Sequence, residues 1–362
     1  MPSDEIEDKP YVEGTLTKLQ IFELYARAWL PVFTSSPNPI WKKLHLFDFF
    51  AGKGRDCNGV PGSPLRILSE VKAKSYDICT KALKVTVTVC DDKPDKIETL
   101  TKLVQDNNLA PSWLKFDPHA GDFPENFTNY LPILRDPDTA CLVLLDQYGF
   151  KHVGSDVFQS LAACPCTDIL FFISTQYLHR FKSHPSILKY MELEAIGDYY
   201  HGHRAVLDWY RSQIPKNLTY YLAAFSFKKG RNLYCVIFGS GHPKGMEQFL
   251  QVAWKMDPTS GEADYDLNRE NFSDLAPYLE LDIFQPKKKQ IFEAALEKNI
   301  REGELNSESA LYLYCLENGM LPTHATPVIK KLKTLGVISC DFTSPNLKSL
   351  KKPRAFSLQL NS

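Results

Sequence analysis

Apolar runs without polar alternation recur through the first two thirds of the chain, and most run straight into an acid. Residues 44–47 lead to Asp48, and residues 84–90 (KVTVTVC) lead to Asp91 and Asp92. Residues 114–116 precede Gly121-Asp122-Phe123, and residues 140–145 (ACLVLL) end in Asp146-Gln147-Tyr148-Gly149. Residues 168–174 (DILFFIS) form a further run. Between these runs the apolar residues fall at helical spacing, over 15–33, 64–71, 96–107, 127–134 and 156–163. A strand that is apolar on both faces must be covered on both faces. The alternation therefore predicts an α/β, doubly wound domain around a parallel sheet. A helix over 206–214 and two strands over 219–227 and 233–238 follow. The turn Lys228-Lys229-Gly230-Arg231 joins those strands into an antiparallel hairpin that closes the sheet.

The pattern changes twice. Residues 1–13 are polar and read as disordered, and residues 14–256 carry the α/β pattern through a last helix over 245–256. Residues 257–283, rich in Asp, Glu, Pro and Gly, read as a linker or irregular connection. Residues 284–362 then give helices over 287–301, 307–318 and 326–335, and strands over 337–342 and 355–360. Three helices followed by a two-stranded ribbon is the order of a winged helix-turn-helix domain. Thr15 or Thr17, Ser63 and Thr326 are the expected N-caps, Pro64 and Pro327 fit first helical positions, and Gly336 fits the helix stop.

The strand ends carry the chemistry. Asp48 is followed by Ala51, Gly52 and Gly54, a turn in which glycines allow positive φ and close approach of the backbone to a ligand. In open α/β sheets ligands sit at the carboxyl ends of the strands. An acid after the second strand, Asp91 or Asp92, suits a ribose diol, and Asp122 after the third suits an adenine amine. Asp146 and Tyr148 after the fourth would orient the group acted upon. A dinucleotide fingerprint needs a third glycine where this chain has Cys57, and the next helix starts late, after Gly59, Pro61 and Gly62. A pyrophosphate would thus lose its helix N-terminus. S-adenosylmethionine, which has no phosphates, fits the spacing better than NAD or ATP.

The segment Phe47-Asp48-Phe49-Phe50-Ala51-Gly52-Lys53-Gly54 resembles the first motif of class I S-adenosylmethionine-dependent methyltransferases. More narrowly, the chain resembles the three-Cys-motif partner protein (TcmP) family. The residues that carry this are the early Thr17-Lys18 helix running to Tyr25, the turn with Pro61-Gly62-Ser63-Pro64 downstream, the Leu144–Gly149 strand end and the winged-helix-like tail. The resemblance implies a Rossmann-like methyltransferase domain and a protein partner with a three-cysteine motif. One departure matters. Amino-methyltransferases of nucleic acid bases carry Asp/Asn-Pro-Pro-Tyr at the fourth strand end, whereas this chain has no prolines there. Two functions stay open: a methyltransferase acting on or with nucleic acid, and a non-catalytic binding partner using the same fold.

Net charge is -1, so nucleic-acid contact would need a local basic patch. Lys330, Lys331 and Lys333 on the third tail helix, beside core positions Ile329, Leu332 and Leu335, supply one, together with Lys351, Lys352 and Arg354 in the wing. The nine cysteines show no metal or disulfide spacing, Cys164-Pro165-Cys166 reads as core or turn, and His201-Gly202-His203 reads as a surface loop. No metal is expected. The acidic N-terminus is unlike a signal peptide, no run is long enough to span a membrane, and the thiols read as reduced, all of which predict a cytoplasmic protein.

Overall fold

The structure, a computed structural model, describes residues 9–147, 152–175, 201–230, 232–267, 286–352 and 354–358. It divides into two compact units, Met1–Gly245 and Met246–Ser362.

The first unit alternates as expected: α1 (Glu13–Thr34), β1 (Lys43–Asp48), α2 (Ser63–Ala73), α3 (Ser75–Thr80), β2 (Lys84–Asp91), α4 (Pro94–Asp106), β3 (Leu114–Ala120), α5 (Phe123–Leu134), β4 (Thr139–Leu145), α6 (Ser155–Ala162), β5 (Thr167–Ile173), α7 (Gly202–Ser212), β6 (Tyr221–Lys229) and β7 (Asn232–Ser240). The strands form one seven-stranded sheet in the order β3-β2-β1-β4-β5-β7-β6. All neighbours are parallel up to β5, and β7 pairs antiparallel with both β5 and β6. β6 therefore runs in the same direction as β1 to β5, and its last residue lies at their carboxyl edge. The strand order turns back between β1 and β4, which makes their carboxyl ends the topological switch point.

Register places alternate side chains on opposite faces. His45, Phe47 and Phe49 share one face with Val143, Leu145, Ile169 and Phe171, and α5, α6 and α7 cover them with Phe127, Phe158 and Tyr210. His45 is buried there, stacked on Phe47 with ring centroids 3.9 Å apart and hydrogen-bonded through Nε2 to Thr88 Oγ1 at 2.7 Å. Burial holds its imidazolium form down, with a pKa of about 4. α1 covers part of the other face, burying Phe22, Tyr25 and Trp29. Edge strand β3 is half-exposed, carries Lys115, Asp117 and His119, and contains Pro118, features that discourage pairing with another chain.

Four details differ from the sequence reading. Residues 9–12 are ordered at the expected disordered start, because the Tyr11 N–H donates to Asp56 Oδ2 at 2.7 Å; residues 1–8 lie outside the described residues. α1 takes Val12 rather than Thr15 or Thr17 as its N-cap, and Thr17 Oγ1 instead donates back to the Glu13 carbonyl. α2 is capped at Gly62, with Ser63 as its first residue, because the Ser63 side chain turns to Asp48. His201-Gly202-His203 is the start of α7 rather than a loop, and His203 is buried.

The second unit holds most of α8 (Pro243–Met256), then α9 (Lys287–Arg301), α10 (Glu308–Glu317), α11 (Thr326–Thr334), and the two-residue strands β8 (Ile338–Ser339) and β9 (Ser357–Leu358), which pair antiparallel. Residues 257–267 are organised by Asp257, whose carboxylate accepts the backbone N–H groups of Thr259, Ser260, Glu262 and Ala263. α10 is capped by Ser307, whose hydroxyl accepts the Ala310 N–H. α11 starts after a short 3-10 turn, so Ala325 rather than Thr326 is its N-cap. It stops at Gly336 (φ 66°), where the Gly336 and Val337 N–H groups reach the Lys333 and Leu332 carbonyls. Ile329 and Leu332 are core, but Leu335 sits past the last turn and is exposed.

Candidate functional site

The strand-end acids gather along one edge of the first unit, and each has a different employment. Asp48, the last residue of β1, is 1% exposed. Its Oδ1 accepts the Phe50 N–H at 3.2 Å, Ser63 hydrogen-bonds to the carboxyl, and Oδ2 is buried with no partner. Burial pushes its pKa up to about 7; Ser63 and the Phe50 N–H pull it down, the nearby Asp146 adds to the rise, and Lys18 opposes it.

The turn that follows is held by the neighbouring strand. The Ala51 N–H bonds to the Cys90 carbonyl at 2.8 Å, and the Gly52 N–H bonds to Asp91 Oδ2 at 2.9 Å. Asp91 Oδ1 meanwhile accepts the Lys93 N–H at 3.1 Å. Asp91 is thus the anchor of the glycine turn, and its neighbour Asp92 is the exposed acid at that strand end. Gly52 (φ 62°) and Gly54 (φ 90°) both take conformations that only glycine adopts readily. A Cβ on Gly54 would lie 2.6 Å from Leu100 Cδ1, so this glycine lets the turn pack on α4.

The excursion between Gly54 and α2 is ordered by Asp56, a residue with no evident motif. Burial works against its charge, but the N–H groups of Tyr11, Asn58 and Val60 converge on it and hold its carboxyl below the usual range. Asp122 is the exposed N-cap of α5, accepting the Glu125 N–H at 3.0 Å. Beside it the rings of Phe50 and Phe123 stack with centroids 5.3 Å apart, and His152 lies 5.3 Å from Phe50 and 5.5 Å from Phe123. These three rings make a wall between the glycine turn and Asp122.

Asp146, past the end of β4, forms an ion pair with Lys18 of α1. The Lys18 ammonium also lies 5.0 Å from the centre of the Phe172 ring. Lys18 belongs to the helix that the sequence flagged, but nothing in its spacing marked it as the partner of an acid far along the chain. Gln147 fixes the loop that follows: its Nε2 donates to the Phe172 carbonyl, and its Oε1 accepts the His152 and Val153 N–H groups. Tyr148, paired with Asp146 in the sequence reading, lies outside the described residues.

What the edge can hold follows from these groups. Asp48 leaves an oxygen unsatisfied at the switch point, the glycine turn is pinned open by Asp91, Asp92 is exposed, and an aromatic wall leads to Asp122. α2 begins only at Ser63, and its N-cap Gly62 donates its N–H to the Gly54 carbonyl at 2.8 Å, which ties the helix start to the end of the glycine turn. These carboxylate acceptors suit a ligand with amine, diol and adenine groups.

The basic residues of the second unit are more occupied than their sequence suggests. Lys331 pairs with Glu297 at 2.7 Å, and Lys333 donates to the Phe342 carbonyl at 3.5 Å. Arg354 lies 2.5 Å from Glu308 and 3.3 Å from Asp341, and Glu308 itself is fully buried. Lys330, Lys351 and Lys352 are exposed.

No protein-family model matches the chain, and no curated protein matches it. Among solved structures it is similar to the bifunctional kinase-methyltransferase WbdD, at 14% identity and a TM-score of 0.33 over 62% of this chain and 39% of that one. It is also similar to an rRNA methylase from Streptococcus thermophilus (9% identity, TM-score 0.32, 64% of this chain and 98% of that one). A third is TYW2 from P. horikoshii in complex with MeSAdo (10% identity, TM-score 0.29, 64% and 63%). The chain spans less than half the length of the WbdD chains it matches, 36% to 44%. The fold is read from the strand order itself: a doubly wound, Rossmann-like seven-stranded sheet whose one reversed strand is β7.

Proposed function

We propose that this chain is an S-adenosylmethionine-dependent methyltransferase that acts on or with nucleic acid. The observation that carries the reading is the pairing at the switch point of an under-satisfied buried acid, Asp48, with a glycine turn tied to the next strand through Asp91. Bound S-adenosylmethionine would supply an electrophilic methyl group. Asp48, Ala51, Gly52 and Gly54 would form the floor beneath it, with Asp91 keeping the turn in shape. Asp92 would accept the ribose hydroxyls, and Asp122 would accept the adenine amine beside the Phe50 and Phe123 rings. Asp146 and Tyr148 would orient the acceptor. Alignment of the acceptor lone pair with the methyl group would then supply most of the rate.

In this reading the second unit is a winged helix. α11 and the β8–β9 ribbon would meet phosphates through Lys330, Lys351 and Lys352, with Lys331, Lys333 and Arg354 joining only by leaving internal partners. The resemblance to the TcmP family adds a partner protein with a three-cysteine motif. The ion pair of Asp146 with Lys18 favours a second reading, a non-catalytic binding protein, because it occupies the acid nearest the acceptor.

Incubation with methyl-labelled cofactor and DNA, tRNA, rRNA or cell extract separates the two. Label in one fraction is the expected result. Cofactor binding by calorimetry without transfer to any fraction would select the second reading, and no binding at all would remove the cofactor from both.

A further inference from the structure

Lys229 is the last residue of β6, and β6 runs parallel to the acid-bearing strands. The hairpin it belongs to extends past the end of β5: Ile173 pairs with Cys235 and Cys235 with Ser226, while Lys228 and Lys229 lie further out, opposite Leu233 and Asn232. The start of α1 packs against this tip, where a Cβ on Gly14 would come within 2.5 Å of the Lys228 carbonyl oxygen and 2.8 Å of Lys229 Cβ. Lys18, a turn along the same helix, reaches Asp146.

The Lys229 side chain is half-buried, and among the described residues its ammonium has neither an ion pair nor a hydrogen bond. Burial lowers its proton affinity, Lys18 lowers it further, and Asp146 opposes both. Asp146 is thus paired with Lys18 and only felt at a distance by Lys229. Asp48, which lies near the Lys18–Asp146 pair, is buried and its pKa is pushed up to about 7. An ammonium partly withdrawn from water and left unpaired is costly, and a bound anion relieves the cost.

We propose that Lys229, flanked by the Lys18–Asp146 pair, is an anion subsite on the acceptor side of the crevice that takes a phosphate group of the acceptor. This rests on the reading of the crevice as a methyl-acceptor site for nucleic acid. It moves the phosphate contact into the first unit, where the lysine lacks a partner, and away from Lys331, Lys333 and Arg354, which have theirs.

The test is a titration of the full chain with inorganic phosphate, followed through the lysine side-chain NMR signals, with acetate as a second probe. Saturable shifts centred on Lys229 and Lys18 are expected, with Lys229→Met weakening binding about tenfold and Lys229→Arg retaining it. Phosphate affinity unchanged in Lys229→Met, shifts confined to second-unit lysines, or acetate binding as tightly as phosphate would each overturn the proposal. Should Lys229→Met not fold, Lys18→Met serves: Asp146 would turn to Lys229 and phosphate affinity should fall, whereas a rise would overturn the subsite. Calorimetry of the wild-type chain with S-adenosylmethionine tests the parent reading separately, since its failure would leave the phosphate titration standing.

Discussion

Asp48 and Asp168 are the same residue type in the same sheet, Asp48 fully buried and Asp168 partly so, yet they are built for different ends. Asp168 opens β5 at the amino edge. It accepts the Tyr25 hydroxyl at 2.7 Å, and the Trp29 and Ser240 side chains bond to it as well. Asp48 closes β1 at the carboxyl edge and keeps one oxygen with no partner. Burial raises both, Asp168 to about 6 and Asp48 to about 7. A buried acid whose bonding is complete serves packing, here the seating of α1 on the sheet. A buried acid left incomplete at a switch point is a place for a ligand.

The contrast breaks if Asp168 proves dispensable. Asp168→Ala removes the 2.7 Å acceptor of Tyr25, which keeps only the Gly245 carbonyl at 3.5 Å, and should cost about 2 kcal/mol in denaturant unfolding. A loss below about 1 kcal/mol would place its bonds among the incidental ones. Glu308 gives a parallel case in the second unit, fully buried and bonded to Arg354 and Asn346. Arg354→Met should lower the melting temperature of that unit, because it leaves the buried Glu308 carboxylate without its cation.

Asp48→Asn should act in the opposite direction. The folded-state pKa of Asp48 lies above its unfolded value, so the folded state holds the extra proton between about pH 4 and pH 7. Its contribution to stability therefore falls as pH rises through that window and stays low above it. The variant should melt above the wild type at pH 8, by the equivalent of about 2 kcal/mol, and the gap should close towards pH 4. A variant less stable at pH 8 would show that the orphan oxygen is satisfied. The smallest effect sharpens the ligand side of the contrast: Asp92→Ala should weaken S-adenosylmethionine about tenfold in calorimetry while the melting temperature stays put.

Much of the frame was legible because it rests on local composition. Runs such as residues 140–145 read as doubly covered strands, and the hairpin announced itself through Gly230, which takes φ 63° in the turn. The glycine turn and the acids at strand ends were legible for the same reason. The pairings that give those acids their roles were not, since they join residues far apart in sequence. Lys18 meets Asp146, Tyr11 meets Asp56, and the Gly52 N–H meets Asp91 only once the sheet is assembled. The caps misled in a regular way. Thr17, Ser63 and Thr326 are good N-cap types, but a nearby acceptor or a preceding 3-10 turn claimed each for another place. The tail lysines looked uniform in sequence, and the fold divides them into the engaged and the exposed.

The reversed strand β7 has an evolutionary consequence. A parallel crossover would have needed a helix between the last two strands, and its packing would constrain every nearby residue. Beyond its contact with the start of α1 at Gly14, a hairpin tip that overhangs the sheet makes few demands on the core. Its residues can be exchanged or lengthened while the acids of β1, β2 and β4 stay in register. If the proposed reading holds, descendants of this chain could change the acceptor by rewriting a few residues around Lys229 and inherit the cofactor floor intact.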